Sequence, residues 1–382
     1  MTVTVRSFAK INLGLRIGPA RDDGFHELLT VYQTIGLHDV IRVSVSRGSG
    51  IEIQCADPRV PRDESNTCFR IVEKAMQTLQ AKGRVVIDIE KRLPVQGGLG
   101  GASSNAVAAL LGLERALKKA LPAVDRLRIA AEVGSDLPLF LVGGTVLGVG
   151  RGEQVYPLPD FPAVPGVVVA PEVGVSTPKA FAEWDRLCGA GTCGAGTPAR
   201  EPQARSLPLL GSEAAELRSA WPDQRSGPTQ TKSARPHTTR PSDPQELTVS
   251  SASDRIKELG RGLSAWLSEA SLGQSYSGAP SDFLARRGRA ENPLLWLVRA
   301  GIENDFEQVV FPEYPELREG KLALLRVGAK YASLSGSGSA LYGLFASREA
   351  AGIAATRLRK QGWSAQATAM LPRRAYWKRI FD

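Results

Sequence analysis

The sequence predicts an α+β protein of two domains that carries a largely disordered insertion. Its 382 residues, of which 42% are hydrophobic, supply enough chain and apolar side chain for two separate cores. Apolar and polar residues alternate in the first part of the chain, which favours strands, and helical apolar spacing accompanies them. A polar stretch further along has few large apolar residues, so it cannot offset the entropy cost of becoming ordered.

The first segment is rich in predicted strands. Five stretches alternate apolar and polar residues with a period of two, which is the pattern of a strand with one buried face. These stretches are Thr2–Phe8, Ile11–Ile17, Val40–Ser46, Ile51–Cys55 and Val85–Ile89.

Three helices are predicted among these strands. The first has Ser65 as its expected N-cap, helical apolar spacing from Phe69 to Leu79, and Gly83 where a C-terminal cap is expected. The second should begin near Ser103, and the third should cover about 124–133.

The stretch from 188 to 253 differs from its surroundings in composition. Gly, Ala, Thr and Pro dominate its beginning, and Ser, Thr, Pro and Gln dominate its end. We interpret most of it as a mobile insertion. Regular structure should resume near Asp254 with a helical apolar face and end in a strand-and-helix pattern after Tyr331.

Charge and hydropathy exclude two classes of partner. The net charge is +9, but the arginines are dispersed and do not alternate with aromatic residues along one stripe, so we expect no nucleic-acid binding. No run of about 18 apolar residues occurs, so we expect no membrane span. The N-terminus alternates and contains Arg6 and Lys10, unlike a signal peptide. The four cysteines are scattered, which fits a reducing cytosol, and we therefore expect a cytoplasmic protein.

A glycine- and serine-rich loop lies between a strand ending near Lys91 and an apolar helix. Closely spaced glycines let backbone N–H groups converge on a phosphate, and the helix N-terminus adds a positive potential. A plain turn capped by Ser103 is the alternative, but two serines and a long helix after the loop favour nucleotide binding. The sequence contains neither a Walker motif nor a complete dinucleotide fingerprint here. The expected nucleotide contacts in this loop are Pro94, Gly97, Gly98, Leu99, Gly100, Gly101, Ala102, Ser103 and Ser104.

Two charged residues outside the loop are candidates for chemistry. Asp136 precedes an apolar helix start; taken alone it is explained more simply as a helix cap, but it would also suit a base that accepts a hydroxyl proton. Lys10 lies between two apolar strand stretches, where a solvated lysine is the ordinary case. Beside a carboxylate it would instead keep that group ionised and neutralise phosphate charge. The Ser335–Ser339 segment could approach the same phosphates, or form only a hairpin turn.

Taken in order, these segments resemble the GHMP kinases. Within that superfamily they resemble the kinases that phosphorylate the 2-hydroxyl of 4-diphosphocytidyl-2-C-methyl-D-erythritol in non-mevalonate isoprenoid biosynthesis. The loop indicates only the superfamily, whereas the start of the chain together with the Asp-Gly-Phe-His segment indicates this kinase. The matching segments are Ala9–Leu13, Asp23–Leu28, Gly97–Asn105, Gly134–Pro138, Gly150–Glu153, Asn304–Glu307 and Ser335–Gly338.

The resemblance implies roles for individual residues. It makes Asp136 the base and Lys10 its partner, with ATP as cosubstrate and Mg²⁺ neutralising the transferring phosphoryl group. It places Phe25 and His26 against the cytosine of a substrate with a cytidine diphosphate moiety. Further candidates are Asn12 as a substrate contact, Tyr32 as a second stacking ring or a core residue, Asn66 on the adenine side or as a helix cap, and Ser104 as a direct or water-mediated metal ligand.

The resemblance also implies the fold. It predicts a two-domain GHMP kinase fold with a ribosomal protein S5 domain 2-like N-terminal domain, residues 1–165, and a ferredoxin-like C-terminal domain, residues 166–382, that carries the insertion. The site should lie in the cleft between them, in a monomer or homodimer. Two alternatives remain: another GHMP kinase acting on homoserine or mevalonate, and a catalytically silent relative that binds ligands. Retention of Lys10 and Asp136 argues against the silent relative.

Three positions depart from the family pattern. Ala102 replaces a glycine common in the family's loop, and Ser135 stands where a small apolar residue is usual; both are small enough to be tolerated. Phe25 lacks the hydroxyl of the tyrosine often found there, so stacking is retained and one hydrogen bond is lost.

Overall fold

The computed structural model describes residues 2–95, 97–189 and 303–381. All of them belong to one compact unit, which comprises Met1–Gly194 and Ser250–Asp382. The predicted insertion, apart from its first two residues, and the helical face expected after Asp254 lie outside the described residues. None of the described helices is long and apolar enough to cross a lipid bilayer.

The first sheet has six strands and confirms the strand-rich beginning of the chain. In the order β3-β4-β2-β5-β6, with β1 also pairing β2, only the β3–β4 pair is parallel. Thr2–Phe8 and Ile11–Ile17, predicted as two strands, form one strand, and the register with β2 shifts between Phe8 and Lys10. The strands are β1 (Thr2–Ala20), β2 (His26–Ser46), β3 (Ile51–Cys55), β4 (Arg84–Glu90), β5 (Thr145–Val149) and β6 (Gln154–Pro157).

Four helices accompany this sheet, and two of their starts correct the sequence prediction. The first helix is capped by Asn66, whose side chain accepts a hydrogen bond from the Cys68 N–H, rather than by Ser65. The second begins at Gly101, because Gly100 adopts a left-handed conformation (φ 69°) that starts the helix before Ser103. The helices are α1 (Thr67–Thr78), α2 (Gly101–Leu117), α3 (Ala123–Val133) and α4 (Leu137–Val142).

Helix α2 packs closely on the first sheet. A Cβ added to Gly112 would lie 2.7 Å from Cγ2 of Val43, so the absence of a side chain lets the helix approach β2. The end of the chain returns to this core, where Leu371, Tyr376 and Ile380 are buried. The N-terminal half of the structure is thus completed by C-terminal residues.

The second sheet is a four-stranded antiparallel sheet in the order β10-β7-β9-β8. Its core includes the buried side chains of Trp184, Phe306 and Leu317. The strand-and-helix pattern expected after Tyr331 is present. Of the remaining described elements, α9 (Arg373–Arg379) packs on the first core through Tyr376. The others are β7 (Pro165–Val169), α5 (Thr177–Gly189), α6 (Glu307–Glu313), α7 (Pro315–Arg326), β8 (Tyr331–Leu334), β9 (Leu341–Leu344), α8 (Arg348–Lys360) and β10 (Ala365–Ala369).

Strand β1 is held by side chains from both halves of the chain. A third apolar cluster combines Ile11 and Leu13 of β1 with Val168 of β7. On the same strand, Arg16 Nη1 donates to Asp305 Oδ1 at 2.9 Å, and Asp305 Oδ2 accepts from the Ile17 N–H at 2.9 Å. These contacts fix the strand that carries Lys10. A domain boundary near residue 165 stays a prediction.

Candidate active site

A cavity of about 610 Å³ brings together most of the residues singled out in the sequence. Leu99, Lys10 and Asp136 all line it, although they come from a loop, a strand and a helix start. The predicted residues that line the cavity are Lys10, Asn12, Phe25, His26, Tyr32, Asn66, Pro94, Gly97, Gly98, Leu99, Gly100, Gly101, Ala102, Ser103 and Asp136. Ser104 is not among them.

The glycine loop presents its backbone to this cavity. Gly98 and Gly100 have φ angles of 76° and 69°, which L-residues with a side chain rarely adopt. A Cβ on Gly100 would also lie 3.0 Å from Cγ of Lys10, and the Lys10 N–H donates to the Leu99 carbonyl at 2.9 Å. The loop is therefore fastened to β1 next to the lysine, with the N-terminus of α2 directly behind it.

The Ser335–Ser339 segment supports the glycine loop. Ser335 Oγ donates to the Gly98 carbonyl at 3.0 Å, and the Ala340 N–H donates to the Gly97 carbonyl at 2.9 Å. Asn304 holds this segment in turn, because its side-chain amide donates to the carbonyls of Leu334 and Gly336 at 2.9 and 2.8 Å. The segment forms more than a hairpin turn, and Gly336 and Ser337 line the cavity.

Lys10 and Asp136 form an ion pair inside the cavity. Nζ of Lys10 lies 3.3 Å from Oδ2 of Asp136, and it donates to Oδ1 of Asn12 at 2.7 Å. The lysine side chain is only 5% exposed, whereas the aspartate is 30% exposed and open to a ligand. Asp136 occupies the N-cap position of α4 but makes no capping hydrogen bond with its side chain, so its carboxylate is directed to the lysine.

Tyr32 lies beside this ion pair, in a nearly closed environment. Its hydroxyl donates to Oδ1 of Asp136 at 3.1 Å, and Nζ of Lys10 lies 5.6 Å from its ring centroid. The side chain is 2% exposed, and a Cβ on Gly148 would lie 2.5 Å from its Cε2 atom. Burial, followed by the negative charge of Asp136, raises the pKa of Tyr32 well above its usual value, so the hydroxyl remains a donor.

Aromatic side chains line another part of the cavity. His26 stacks on Phe181 of α5 with ring centroids 4.9 Å apart, and its Nε2 lies 2.7 Å from Oδ1 of Asp185. Phe25 is half exposed, and the guanidinium of Arg151 lies 4.9 Å from its ring centroid. Phe181 also lines the cavity, but its role was not predicted, because its helical spacing in α5 resembles that of an ordinary core residue.

Comparison with known proteins identifies the family. Family models of the GHMP kinases N-terminal domain and the GHMP kinases C-terminal domain match residues 66–144 and 293–363. A protein of Solibacter usitatus (strain Ellin6076) named 4-diphosphocytidyl-2-C-methyl-D-erythritol kinase is 34% identical over 346 residues, 91% of this chain and 82% of its own length. The chain belongs to the GHMP kinase family. It is therefore an ATP-dependent kinase of a small molecule.

Solved structures show the same GHMP kinase fold. A crystal structure titled 4-(cytidine 5'-diphospho)-2C-methyl-D-erythritol kinase has a TM-score of 0.59 and 24% identity, and the match covers 96% of this chain and 98% of that one. A homoserine kinase from Cytophaga hutchinsonii ATCC 33406 has a TM-score of 0.56 and 17% identity, with 97% and 95% covered. Both likenesses concern the fold alone. They confirm the predicted two-domain GHMP architecture.

Two residues predicted to bind ATP or its metal ion, Asn66 and Ser104, also make hydrogen bonds within the protein. Asn66 lines the cavity and also caps α1, so the helix-cap interpretation is confirmed and a contact with adenine stays a prediction. Ser104 is 2% exposed, and its hydroxyl is bonded to Ser7 and to the Gly101 carbonyl. Ser103, one residue earlier, lines the cavity instead.

Lys91 is a cavity residue of this GHMP kinase for which no role was predicted. Its Nζ donates to Oδ2 of the fully buried Asp39 at 2.6 Å, and a Cβ on Gly101 would lie 3.2 Å from Nζ. The lysine therefore places a cation against the first residue of α2. Its position at a strand end was visible in the sequence, but its proximity to the helix N-terminus depends on the tertiary structure.

Proposed function

We propose that this GHMP kinase transfers the γ-phosphoryl group of ATP to the 2-hydroxyl of 4-diphosphocytidyl-2-C-methyl-D-erythritol. The observation that carries the proposal is the Lys10–Asp136 ion pair, which shares one cavity with the glycine loop and with Phe25 and His26. The name of the Solibacter relative supports this choice of substrate. We further propose a cytoplasmic enzyme that acts as a monomer or homodimer.

The glycine loop would hold the phosphates of ATP. Gly98, Gly100 and the first turn of α2 offer backbone N–H groups without obstruction by side chains, and the helix dipole favours the negative charge. Asn66 would contact the adenosine end of the nucleotide. Phosphoryl transfer requires mainly positioning and charge stabilisation, which such a cradle supplies.

Asp136 would act as the general base. As the oxygen of the 2-hydroxyl forms its bond to the γ-phosphorus and the bond to the ADP oxygen breaks, the hydroxyl proton passes to the carboxylate of Asp136. Lys10, 3.3 Å away, stabilises the ionised carboxylate before transfer and offsets negative charge on the transferring group. Asn12 fixes the lysine through its 2.7 Å hydrogen bond and lines the cavity beside the acceptor.

Phe25, His26 and Phe181 would bind the cytosine. Aromatic faces stack on nucleobases, and the half-exposed ring of Phe25 is free to do so on the cavity side. His26 is held in place by Phe181 and Asp185, which favours a fixed hydrogen bond to the base edge. We assign the second ring to Phe181 rather than Tyr32, because the tyrosine is enclosed by protein.

Mg²⁺ would accompany ATP. Mg²⁺ is usually held by one or two protein oxygens together with substrate phosphates and water, so a cavity with few carboxylates suits it. Ser103 faces the cavity, whereas Ser104 is already bonded to Ser7, so Ser104 would contribute through a water molecule. When bound, the metal ion would neutralise charge on the phosphates.

Two rival functions remain as alternatives. A homoserine or mevalonate kinase would use the same phosphate loop and the same ion pair, but it would have no need of an exposed aromatic ring beside His26. A catalytically silent relative would have no chemical reason to keep the Lys10–Asp136 pair. The cytosine-side residues and the ion pair therefore discriminate between the three.

ATP consumption measured in parallel with 4-diphosphocytidyl-2-C-methyl-D-erythritol, homoserine and mevalonate tests the proposal. We expect turnover with the cytidyl substrate alone. The Asp136→Asn variant should lower kcat about 100-fold or more while nucleotide affinity stays within a few-fold of wild type, because the carboxylate acts in the transition state. Turnover with either other alcohol would replace the substrate assignment, and an active Asp136→Asn enzyme would remove Asp136 as the base.

A further inference from the structure

Asp136 is held from two sides by groups on neighbouring strands. Lys10 of β1 lies 3.3 Å from Oδ2, and Tyr32 of β2 donates to Oδ1 at 3.1 Å. The side chain of Asp136 makes no capping hydrogen bond to α4. Its carboxylate can therefore rotate about the side-chain torsions unless other groups hold it. Two separate contacts, one on each oxygen, restrict that rotation.

Tyr32 is too deeply buried to stack on a ligand, but its hydroxyl reaches Asp136. Its ring is fully surrounded by protein, with Gly148 of β5 and Gly152 of the β5–β6 turn packed against it where any side chain would collide. Tyr32 lines the cavity together with the ion pair, and Nζ of Lys10 lies 5.6 Å from its ring centroid. A buried hydroxyl that has one acceptor within hydrogen-bond distance has a fixed direction.

We propose that Tyr32 is a positioning residue for the catalytic base: its hydroxyl orients the Asp136 carboxylate toward the acceptor hydroxyl. This proposal rests on the function proposed above for Asp136. The tyrosine itself transfers no proton, because burial and the adjacent carboxylate raise its pKa well above the usual range. It acts as a neutral hydrogen-bond donor to Oδ1 of Asp136.

The charged groups around this hydrogen bond come from three places. Lys10 approaches from β1, Asp136 from the start of α4, and Glu153 from the turn before β6, where its charge also acts on Tyr32. Arg151 lies next to Glu153, with its Nε 3.7 Å from Oε1 of that glutamate. Removal of the neutral Tyr32 hydroxyl changes none of these charges. Its effect on kcat can therefore be attributed to the lost hydrogen bond.

The Tyr32→Phe variant tests the proposal. The carboxylate loses the donor on Oδ1 and can turn away from the acceptor hydroxyl, which slows the chemical step without weakening substrate binding. We expect kcat to fall about tenfold, with the KM for ATP unchanged. Both constants are measured with whichever alcohol the wild-type enzyme phosphorylates.

Tyr376→Phe is the matched control. Tyr376 is equally buried, and its hydroxyl donates to the carbonyl of Phe140 in α4 at 2.7 Å, so this variant removes a hydrogen bond to the same helix without touching the carboxylate. We expect it to lower thermal stability and to leave kcat unchanged. A wild-type kcat in Tyr32→Phe, or an equal fall in kcat in Tyr376→Phe, would overturn the positioning role.

The Asp136→Asn enzyme separates failure of this inference from failure of the proposed function. If Asp136→Asn is inactive and Tyr32→Phe keeps the wild-type kcat, only the role of Tyr32 is wrong. If Asp136→Asn remains active, the base assignment fails and the role of Tyr32 fails with it.

Discussion

Phe25 is a half-exposed aromatic ring beside the buried His26 at the edge of the cavity. Phe25→Ala should raise the KM for the cytidyl substrate about 5- to 150-fold, because stacking of a base on an aromatic ring contributes roughly 1–3 kcal/mol. The KM for ATP should stay within about twofold of wild type. Steady-state kinetics with each substrate varied in turn would measure both values.

Tyr156 offers a control for this substitution. It is 52% exposed, close to the 50% of Phe25, and it lies in β6 outside the cavity. Tyr156→Ala should leave both KM values unchanged. If Phe25→Ala weakens ATP and the cytidyl substrate equally, Phe25 supports the fold of the site and does not bind the base.

At the scale of residues, side-chain type indicated which residues are candidates for the site, but it did not indicate how deeply each one is buried. Lys10 and Asp136 were selected as a lysine and a carboxylate that would be useful together, and they form an ion pair. Tyr32 was selected as an aromatic ring, but its enclosed position could not be read from the chain. The reason is that its neighbours Gly148 and Gly152 follow it by more than a hundred residues.

At the scale of elements, two loops meet at Gly98. Its φ of 76° is unfavourable for alanine, and an added Cβ would collide with the carbonyl oxygen of Ser335. Gly98→Ala should therefore displace the phosphate loop and raise the Kd for ATP by roughly tenfold or more, because small displacements of binding groups strongly reduce their effect. ATP titration by calorimetry would measure the loss directly.

Gly50→Ala separates backbone strain from the collision. Gly50 also has a positive φ, 96°, but nothing lies within 4 Å of an added Cβ. This variant should lose a modest amount of stability and bind ATP normally. Equal ATP affinity in Gly98→Ala and wild type would show that the loop tolerates the shift and that contact with Ser335 has no part in binding.

The ends of an element were predicted correctly where neighbouring residues in the sequence determine them. Strand β3 lies at the predicted residues Ile51–Cys55, because apolar and polar residues alternate along it and a Gly-Ser-Gly segment precedes it. Helix α2 starts earlier than predicted, because the left-handed Gly100 sets the start and no side-chain cap is needed. Glycine is compatible with many conformations, so its presence did not reveal which one the fold imposes.

At the scale of the whole molecule, the buried ion pair of Arg16 and Asp305 joins β1 to the second half of the chain. Asp305 is fully buried. Desolvation by burial lowers the pKa of Arg16, but the charge and the hydrogen bond of Asp305 outweigh this effect, so the pKa of Arg16 is raised. Asp305→Asn should lower the free energy of unfolding by about 3 kcal/mol or more, because the arginine then loses its buried counter-ion. Urea denaturation monitored by circular dichroism would measure the change.

Asp88→Asn provides the comparison for this substitution. Asp88 pairs with Arg42 at 3.0 Å, but both side chains are about 40% exposed, at 43% and 39%. Exposed pairs contribute about 0–1 kcal/mol, so this variant should be nearly as stable as wild type. A similar, small effect of both substitutions would mean that the contact between β1 and residue 305 does not support the fold.

Local patterns in the chain were sufficient for five strand segments, three helical faces and the glycine loop, because period, turn chemistry and side-chain type act over a few neighbouring residues. The roles of Lys10 and Asp136 came from the family resemblance. The convergence of Lys10, Asp136 and Phe181 on one cavity, and the hydrogen bond from Tyr32, required the folded molecule. Asp136 follows both Lys10 and Tyr32 by more than a hundred positions. Sheet register and helix packing alone decide which of them meet.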